Sequence, residues 1–225
     1  MIKKYKGYWG NFQYDDTEFQ LERGCLHYIG AETDGRKIKI PEGVTNCDSM
    51  FKGCNIVTPP VIPAGVVMCN FMFADCSSLV EPPVIPEGVV DCRYMFRGCT
   101  SLVEAPAIPE GVAICTAMFS DCSSLVEAPT IPAGVKKDCD FMFADCKSLT
   151  ETPEIPEGVT ICSYMFYKCS FLRNYSLNPD GRGGMYQNCF SLLQEIDSFV
   201  DTVREQYDLQ MEIDYDLEEL YEDVY

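Results

Sequence analysis

Apolar positions along most of this chain recur at one nearly constant interval of about 23 residues. Each interval holds two cysteines seven residues apart, a Met-Phe pair between them and a later Ile-Pro pair. The pentapeptide Ile-Pro-(Glu/Ala)-Gly-Val begins at Ile40, Ile62, Ile85, Ile108, Ile131 and Ile155. A period of this length is too short for a two-helix repeat and suits one short strand and one return segment per coil. The pattern therefore predicts a solenoid of stacked coils with short parallel strands.

Stacking places equivalent residues of successive coils in columns about 5 Å apart, so each column must pack against itself. The segment Cys-x-x-Met-Phe-x-x-Cys begins at Cys47, Cys69, Cys92, Cys115, Cys139 and Cys162. A degenerate seventh copy at residues 184–189 brings the predicted total to about six and a half coils. Each fully buried column member should contribute roughly 1.5–3 kcal/mol. The predicted columns are Met50, Met72, Met95, Met118, Met142 and Met165; Phe51, Phe73, Phe96, Phe119, Phe143 and Phe166; and Leu79, Leu102, Leu125, Leu149 and Leu172.

The glycine of the pentapeptide follows a proline by two residues, as in a tight turn. Glycine takes a positive φ without the strain that other residues suffer. We therefore expect a positive φ at Gly43, Gly65, Gly88, Gly111, Gly134 and Gly158.

The two ends of the chain depart from the repeat, and we expect them to cap the open ends of the solenoid. Residues 1–36 are rich in aromatic and β-favouring side chains, which predicts a β cap of strands or hairpins. Residues 37–190 form the predicted solenoid. Residues 191–225 show helical spacing to about residue 207, then strand spacing, then a short helical pattern, which predicts an α/β C-terminal cap.

The repeated pattern Met-Phe-x-x-Cys-x-Ser-Leu, followed by Ile-Pro-x-x-Val, resembles the BspA-type leucine-rich repeats of bacteria and their mobile elements. The resemblance covers roughly residues 37–192, and residues 26–30 (LHYIG) and 37–41 (KIKIP) look like the first strands of that family. It implies a right-handed leucine-rich-repeat solenoid that is used for protein binding or adhesion, often at a cell surface.

The net charge of −18 argues against a surface that binds nucleic acid or adheres to anionic membranes, and it favours a basic protein partner. No run of 18 apolar residues is present that would span a membrane. The first residues contain no apolar run of signal-peptide length. We therefore expect a cytoplasmic protein.

Acidic residues are concentrated in two places. Four of them follow a cysteine by five residues in successive coils and should form one line: Glu81, Glu104, Glu127 and Glu151. Residues 195–225 carry twelve acidic residues and one basic residue, and their candidate contacts are Asp214, Asp216, Glu218 and Glu219. The glutamate line either keeps the protein soluble and prevents end-to-end stacking, or it receives a basic partner and speeds its association. The C-terminal segment is either the solvated outer face of a capping element, or an acidic docking surface or mimic of nucleic-acid phosphates.

Two rows vary while the rest of the repeat is strict, which indicates side chains that point outward. One row precedes the Ile-Pro pair and consists of Val61, Val84, Ala107, Thr130 and Glu154. The other precedes the Met-Phe pair and includes Phe71, Tyr94, Ala117, Phe141 and Tyr164. Tyr94 and Tyr164 are candidate interface anchors, since exposed aromatic residues often anchor interfaces; packing between coils is the alternative.

The cysteines do not have the spacing of a metal site. Structural zinc usually uses closer pairs, often with histidine, whereas the pairs here are Cys-x6-Cys and the one histidine, His27, lies outside the repeat. We expect two columns of buried thiols instead, since free cysteine packs as a small hydrophobe. His27 alone supports no catalytic triad, so we predict a structural role for it, no catalytic residue, no metal and no cofactor.

The sequence therefore favours a non-enzymatic protein-binding module that presents an acidic solenoid face to a protein partner. One alternative is an inhibitor from a phage or mobile element that blocks a nucleic-acid-binding defence enzyme by imitating phosphates with carboxylates. A second alternative is a fragment of a secreted adhesin.

Overall fold

The computed structural model describes residues 7–9, 12–22, 25–135 and 138–173. Two antiparallel hairpins come first: β1 (Gly7–Trp9) pairs with β2 (Phe12–Tyr14), and β3 (Phe19–Glu22) pairs with β4 (Cys25–Tyr28). A 3-10 helix at Gly35–Lys37 then leads into the coils. The predicted seventh coil and C-terminal cap, with Asp214, Asp216, Glu218 and Glu219, lie outside the described residues, and the predicted domain boundaries stay predictions.

The hairpin of β3 and β4 packs on the first coil. Its apolar residues Phe19, Leu26 and Tyr28 are buried in the same core as the coils. The rings of Phe19 and Tyr28 lie 6.4 and 5.4 Å from the ring of Phe51. The Tyr28 amide donates to the Met50 carbonyl oxygen at 2.7 Å. These contacts cover the end of the phenylalanine column that would otherwise face solvent.

In the described part of the chain, adjacent coils are joined by parallel bridges of a single residue. The predicted parallel pairing is confirmed, but isolated bridges take the place of the predicted short strands. One series of bridges joins Asn46, Met68, Asp91, Ile114, Asp138 and Ile161 in turn. A strand would require extended residues on both sides of each bridge. The backbone next to these positions instead turns, because residues in the left-handed conformation follow shortly after.

Left-handed residues occur at two places in every described Cys-x-x-Met-Phe-x-x-Cys segment. One stands before the Met-Phe pair, as in Phe71 (φ 55°) and Tyr94 (φ 57°), and the other stands before the second cysteine, as in Asp75 (φ 61°) and Gly98 (φ 75°). Along the segment, alternate amides, including those of the left-handed residues, point towards the next coil. The amides of Cys69, Phe71, Phe73 and Asp75 donate to the carbonyl oxygens of Asp91, Arg93, Met95 and Arg97 at 2.6–3.1 Å.

The pentapeptide glycines take the predicted positive φ in the first coil only, and in later coils two of them serve a different purpose. Gly43 has a positive φ of 83°, but Gly65, Gly88, Gly111 and Gly134 do not. A Cβ on Gly111 would lie 2.9 Å from the Glu87 carbonyl oxygen of the preceding coil, and one on Gly134 would overlap the equivalent oxygen of Glu110. In these later coils glycine therefore allows two backbones to approach closely.

The predicted columns lie in the core, and all of their described members are buried; valines and most isoleucines of the pentapeptide are buried with them. Adjacent phenylalanine rings of the column stack with centroids 5.5–5.7 Å apart and planes within 10° of parallel. Buried Ile56 heads the leucine column. The sequence pattern missed it because the first coil has one residue fewer between its second cysteine and this position.

Replacement of Phe119 by Ala should destabilise the protein by about 3–5 kcal/mol, because the ring is buried between two stacked neighbours and its removal leaves a cavity. Phe171→Ala is the matched control, since 59% of Phe171 is exposed. We expect the control to change the unfolding free energy by less than about 1 kcal/mol. Urea denaturation measures both, and equal losses would contradict the stacked column as the main stabilising element.

Candidate functional site

The cysteines form two columns of buried thiols, as predicted, and the described cysteines form no disulfide. Thiols of the second column donate to the carbonyl oxygen of a phenylalanine in the preceding coil. Cys76 bonds Phe51 at 2.9 Å, and the same contact recurs at 3.1 Å for Cys99, Cys122, Cys146 and Cys169. Within the described residues, no group of three or more His, Cys, Asp or Glu side chains could hold a metal ion.

These thiols are poor nucleophiles. Burial raises the pKa of Cys47 and Cys76 to about 12, and it raises the pKa of Cys92 and Cys99 well above the ordinary value. A reactive cysteine needs the opposite shift, because the thiolate is the nucleophile. The repeated thiols therefore have a structural role.

A hollow of about 550 Å³ beside β4 contains Cys25 and His27, together with Glu22, Lys52 and Asp75. His27 lies with Nδ1 3.0 Å from the Ser49 carbonyl oxygen, which only accepts, so Nδ1 carries the proton. Burial, with a smaller contribution from Asp48, raises the pKa of the Cys25 thiol. The histidine thus ties β4 to the first coil, and the thiol beside it is not activated.

The first glutamate row, defined as Glu81, Glu104, Glu127 and Glu151, is exposed along its whole length. A parallel bridge joins the backbones of Glu104 and Glu127, so these residues stand side by side in adjacent coils. The row continues towards the N-terminus through Thr58 to Asp34, whose backbones are bridged and whose side chains are hydrogen bonded at 2.7 Å. Hydrogen bonds from Arg36 and Thr58 hold the pKa of Asp34 well below its usual range.

A second glutamate row, defined as Glu42, Glu87, Glu110 and Glu157, is also exposed. Between the two rows, Val61 and Val84 are 81% and 87% exposed, and Ala107, Thr130 and Glu154 after them are also exposed, which confirms that this position points outward. A groove of about 420 Å³, called here the proline groove, lies between coils and is lined by Pro82, Pro83, Val84, Ala107, Glu87 and Glu110.

The sequence indicates which residues of the proline groove point outward, but it does not indicate that they form a groove. The repeat indicates that Val84 points outward, but it does not show that prolines of two adjacent coils leave a depression between them. A further row that the sequence analysis missed consists of the half-exposed valines Val57, Val80, Val103 and Val126. The signal for it was present, because each of the last three directly precedes a glutamate of the first row.

The aromatic row packs between coils and remains partly exposed. Phe71 stacks on Tyr94 with centroids 4.5 Å apart, and Phe141 stacks on Tyr164 at 5.1 Å. Ala117 separates the two pairs. Phe141 and Tyr164 keep about two fifths of their surface exposed. The two expectations for Tyr94 and Tyr164 are therefore compatible: both rings support the stack, and their use as interface anchors stays a prediction.

One ion pair on the bridged side of the coils joins a buried carboxylate to a half-exposed arginine. Asp91 is 7% exposed, and the Arg93 guanidinium donates to it from Nε at 3.1 Å and from Nη2 at 2.7 Å. A second pair, Arg97 with Asp121, is half exposed on both sides and longer, at 3.5 Å.

Comparisons with known proteins agree with this geometry. A family model described as the BspA type leucine rich repeat region matches residues 31–125 and 92–203, in six copies. Among solved structures, a leucine-rich repeat protein of T. pallidum (TpLRR) is 20% identical, with a TM-score of 0.50, and the match covers 76% of this chain and 96% of that one. At this identity the likeness shows the fold alone.

Two further structures are less similar. A leucine-rich repeat protein from Bacteroides ovatus is 21% identical, with a TM-score of 0.48, and one from Eubacterium ventriosum is 17% identical, with the same TM-score. The matches cover 71% and 77% of this chain but only 51% and 50% of those proteins. No curated protein matches the chain. In the part of the chain that the structure describes, no helix combines the length and apolarity needed to cross a bilayer.

The buried thiols should make stability depend on pH above about 9. An unfolded thiol ionises near pH 9.0, whereas folded Cys76 holds its proton to about 12, so rising pH favours the unfolded chain in this window. We expect each such thiol to lower the unfolding free energy by about 1.4 kcal/mol per pH unit. Urea denaturation between pH 8 and pH 10 measures the slope, and Cys76→Ser, which cannot ionise here, should reduce it. An unchanged unfolding free energy over that range would contradict the assignment.

Arg93→Ala should destabilise the protein by about 1–2 kcal/mol, because it leaves the buried Asp91 carboxylate without its charged donor, while the exposed half of the arginine limits the loss. Arg97→Ala is the control and should change stability by less than about 0.5 kcal/mol, since its pair is solvent-exposed. Thermal and urea unfolding of both variants distinguish them; similar effects would show that the Asp91 pair is no stronger than a surface pair.

Proposed function

This chain belongs to the BspA-type leucine-rich repeat family, and we propose that it is a non-enzymatic protein-binding module that receives a basic protein partner on its acidic solenoid face. Leucine-rich repeats are in general protein-binding modules. The shape of a solenoid favours this use, because stacked coils offer an extended surface on which each coil repeats the same contact.

The observation that carries the proposal is the first glutamate row. Its four residues are exposed and occupy equivalent positions of successive coils, and the bridged backbones of Glu104 and Glu127 lie about 4.8 Å apart. Two like charges 4 Å apart repel by about 1 kcal/mol even in bulk water. Scattered charges would keep the protein soluble without this repulsion, whereas a row concentrates the field that attracts a cationic partner.

The field of the whole protein strengthens the same attraction. A net charge of −18 steers a basic partner towards the surface, and the row then orients it. Complementary charges act mainly on the association rate and on partner choice, so binding of this kind should weaken as salt rises.

We do not propose an enzymatic activity, because the described hollows lack the arrangement of groups that catalysis requires. Catalysis requires different groups that converge on one point. The surfaces of the coils instead offer rows of identical side chains, and the thiol in the hollow beside β4 has a raised pKa.

The proposal predicts that Glu104→Lys/Glu127→Lys weakens binding of the partner about tenfold or more, with a loss of salt dependence, because two attractive charges become repulsive. The full-length protein is immobilised, the partner is captured from a lysate of the source cell, and the salt concentration at which it elutes is compared among variants.

The control is Asp75→Lys/Asp145→Lys, which changes the net charge by the same amount away from the row. Lys168 occupies the equivalent left-handed position in the sixth coil, so the backbone accepts lysine there. Elution of the partner at unchanged salt from the Glu104→Lys/Glu127→Lys variant, or an equal shift in the control, would refute the glutamate row as the binding surface.

A further inference from the structure

We propose that the partner of this face presents an amphipathic α-helix, which lies along the solenoid axis with its apolar stripe on the proline groove and its lysines and arginines over the two glutamate rows. The inference rests on the proposed function and specifies the form of the partner. Its first support is the apolar lining of the groove, and the flanking acidic residues are its second.

The outward-pointing residues at the groove are apolar where the fold does not require it. Val84 is 87% exposed and Val61 81%, so their side chains add almost nothing to the core. The same position becomes Ala107, then Thr130, then Glu154 in later coils, which shows that a polar residue fits the coil equally well. Val84 and Ala107 belong to the two coils that line the groove, and Val61 belongs to the coil before them, outside the lining. Together these three coils correspond to about three turns of a helix laid across them.

In the two coils that line the groove, negatively charged glutamates stand on both sides of the apolar outward residues. Residues 81–87 read EPPVIPE and residues 104–110 read EAPAIPE, so each of these segments begins and ends with an exposed glutamate. A complementary partner therefore has an apolar stripe with basic residues on both sides. In the next coil the second glutamate is replaced by Ala133, so the arrangement ends there.

The spacing of the coils selects a helix over an extended segment. Stacked phenylalanine rings advance 5.5–5.7 Å per coil in the core, and the backbone bridge between Glu104 and Glu127 implies about 4.8 Å per coil at this face. An α-helix advances about 5.4 Å per turn, which lies between these two values, whereas residues on one face of a strand repeat at about 6.7 Å, which exceeds both. Over three coils a helix drifts from the register of the coils by at most about 1.8 Å and a strand by at least about 3 Å, so the helix matches the coils better.

The prolines of the groove also disfavour an added strand. Pro82, Pro83 and Pro106 lack an N–H, so this surface cannot offer the regular ladder of donors that a new strand would need. A helix satisfies its own backbone hydrogen bonds and asks only for side-chain contacts.

The test compares two synthetic peptides of identical composition and about 18 residues, a length of about five helical turns. One arranges leucines in a helical stripe with lysines on both sides, and the other alternates leucine and lysine as in a strand. Fluorescence anisotropy measures binding to the full-length protein, and circular dichroism measures the helix content of the bound peptide. We expect the helical peptide to bind at least about tenfold more tightly and to gain helix content on binding.

Val84→Asp should weaken binding of the helical peptide about tenfold, because it puts a charge on the apolar lining of the groove without disturbing the core. Val90→Asp is the matched control: it makes the same change in charge at a half-exposed valine outside the groove lining, and we expect an effect of less than about twofold.

Equal affinity for the strand-patterned peptide, or an unaltered affinity in Val84→Asp, would overturn the helix inference. The natural partner captured under the proposed function separates the two ideas. If its binding still depends on Glu104 and Glu127 while the helical peptide fails, the acidic face binds a partner of another form. If neither binds through this face, both proposals are wrong.

Discussion

Alternate amides of the Met-Phe segment donate hydrogen bonds to the next coil. The left-handed residues that turn the amides in that direction also determine which side chains lie in the core and which lie at the surface. The turn places methionine, phenylalanine and both cysteines inside and leaves the preceding residue nearer the surface, except for Ala117, which is buried. A left-handed conformation costs an ordinary residue about 1–2 kcal/mol. The repeated hydrogen bonds and the buried columns offset this strain in every coil, so the Met-Phe segment recurs along the chain, as the Ile-Pro-(Glu/Ala)-Gly-Val pentapeptide does, while the outward positions are free to change.

Much of the core could be predicted because each column must pack against itself. Phe96 stacks on Phe73 on one side and on Phe119 on the other, so the repeated phenylalanine in the sequence directly predicts the stack in the structure. The backbone could not be predicted in this way. Phe71 and Tyr94 are bulky, and their residue types argue against the positive φ that they adopt. Asp75 and Gly98, at the second left-handed position, are the residue types that do give this signal.

The candidate surface was predicted only as lines of residues. The glutamates of the first row could be placed in register from their spacing alone, because equivalent positions of stacked coils must align. The proline groove required coordinates, since it arises between coils and depends on how closely two backbones approach. The outward positions can differ from one coil to another without loss of stability, because stacking fixes the side chains inside the solenoid.

The direction of the hydrogen bonds between coils has an electrostatic consequence. In the second coil, four amides of the Met-Phe segment point towards the third coil, while fewer, such as those of Val67 and Val80, point back. Peptide dipoles that do not cancel add along the stack, as they do along a helix. The described coils are therefore polar along the stack, with the N–H groups of their Met-Phe segments directed towards the C-terminal end.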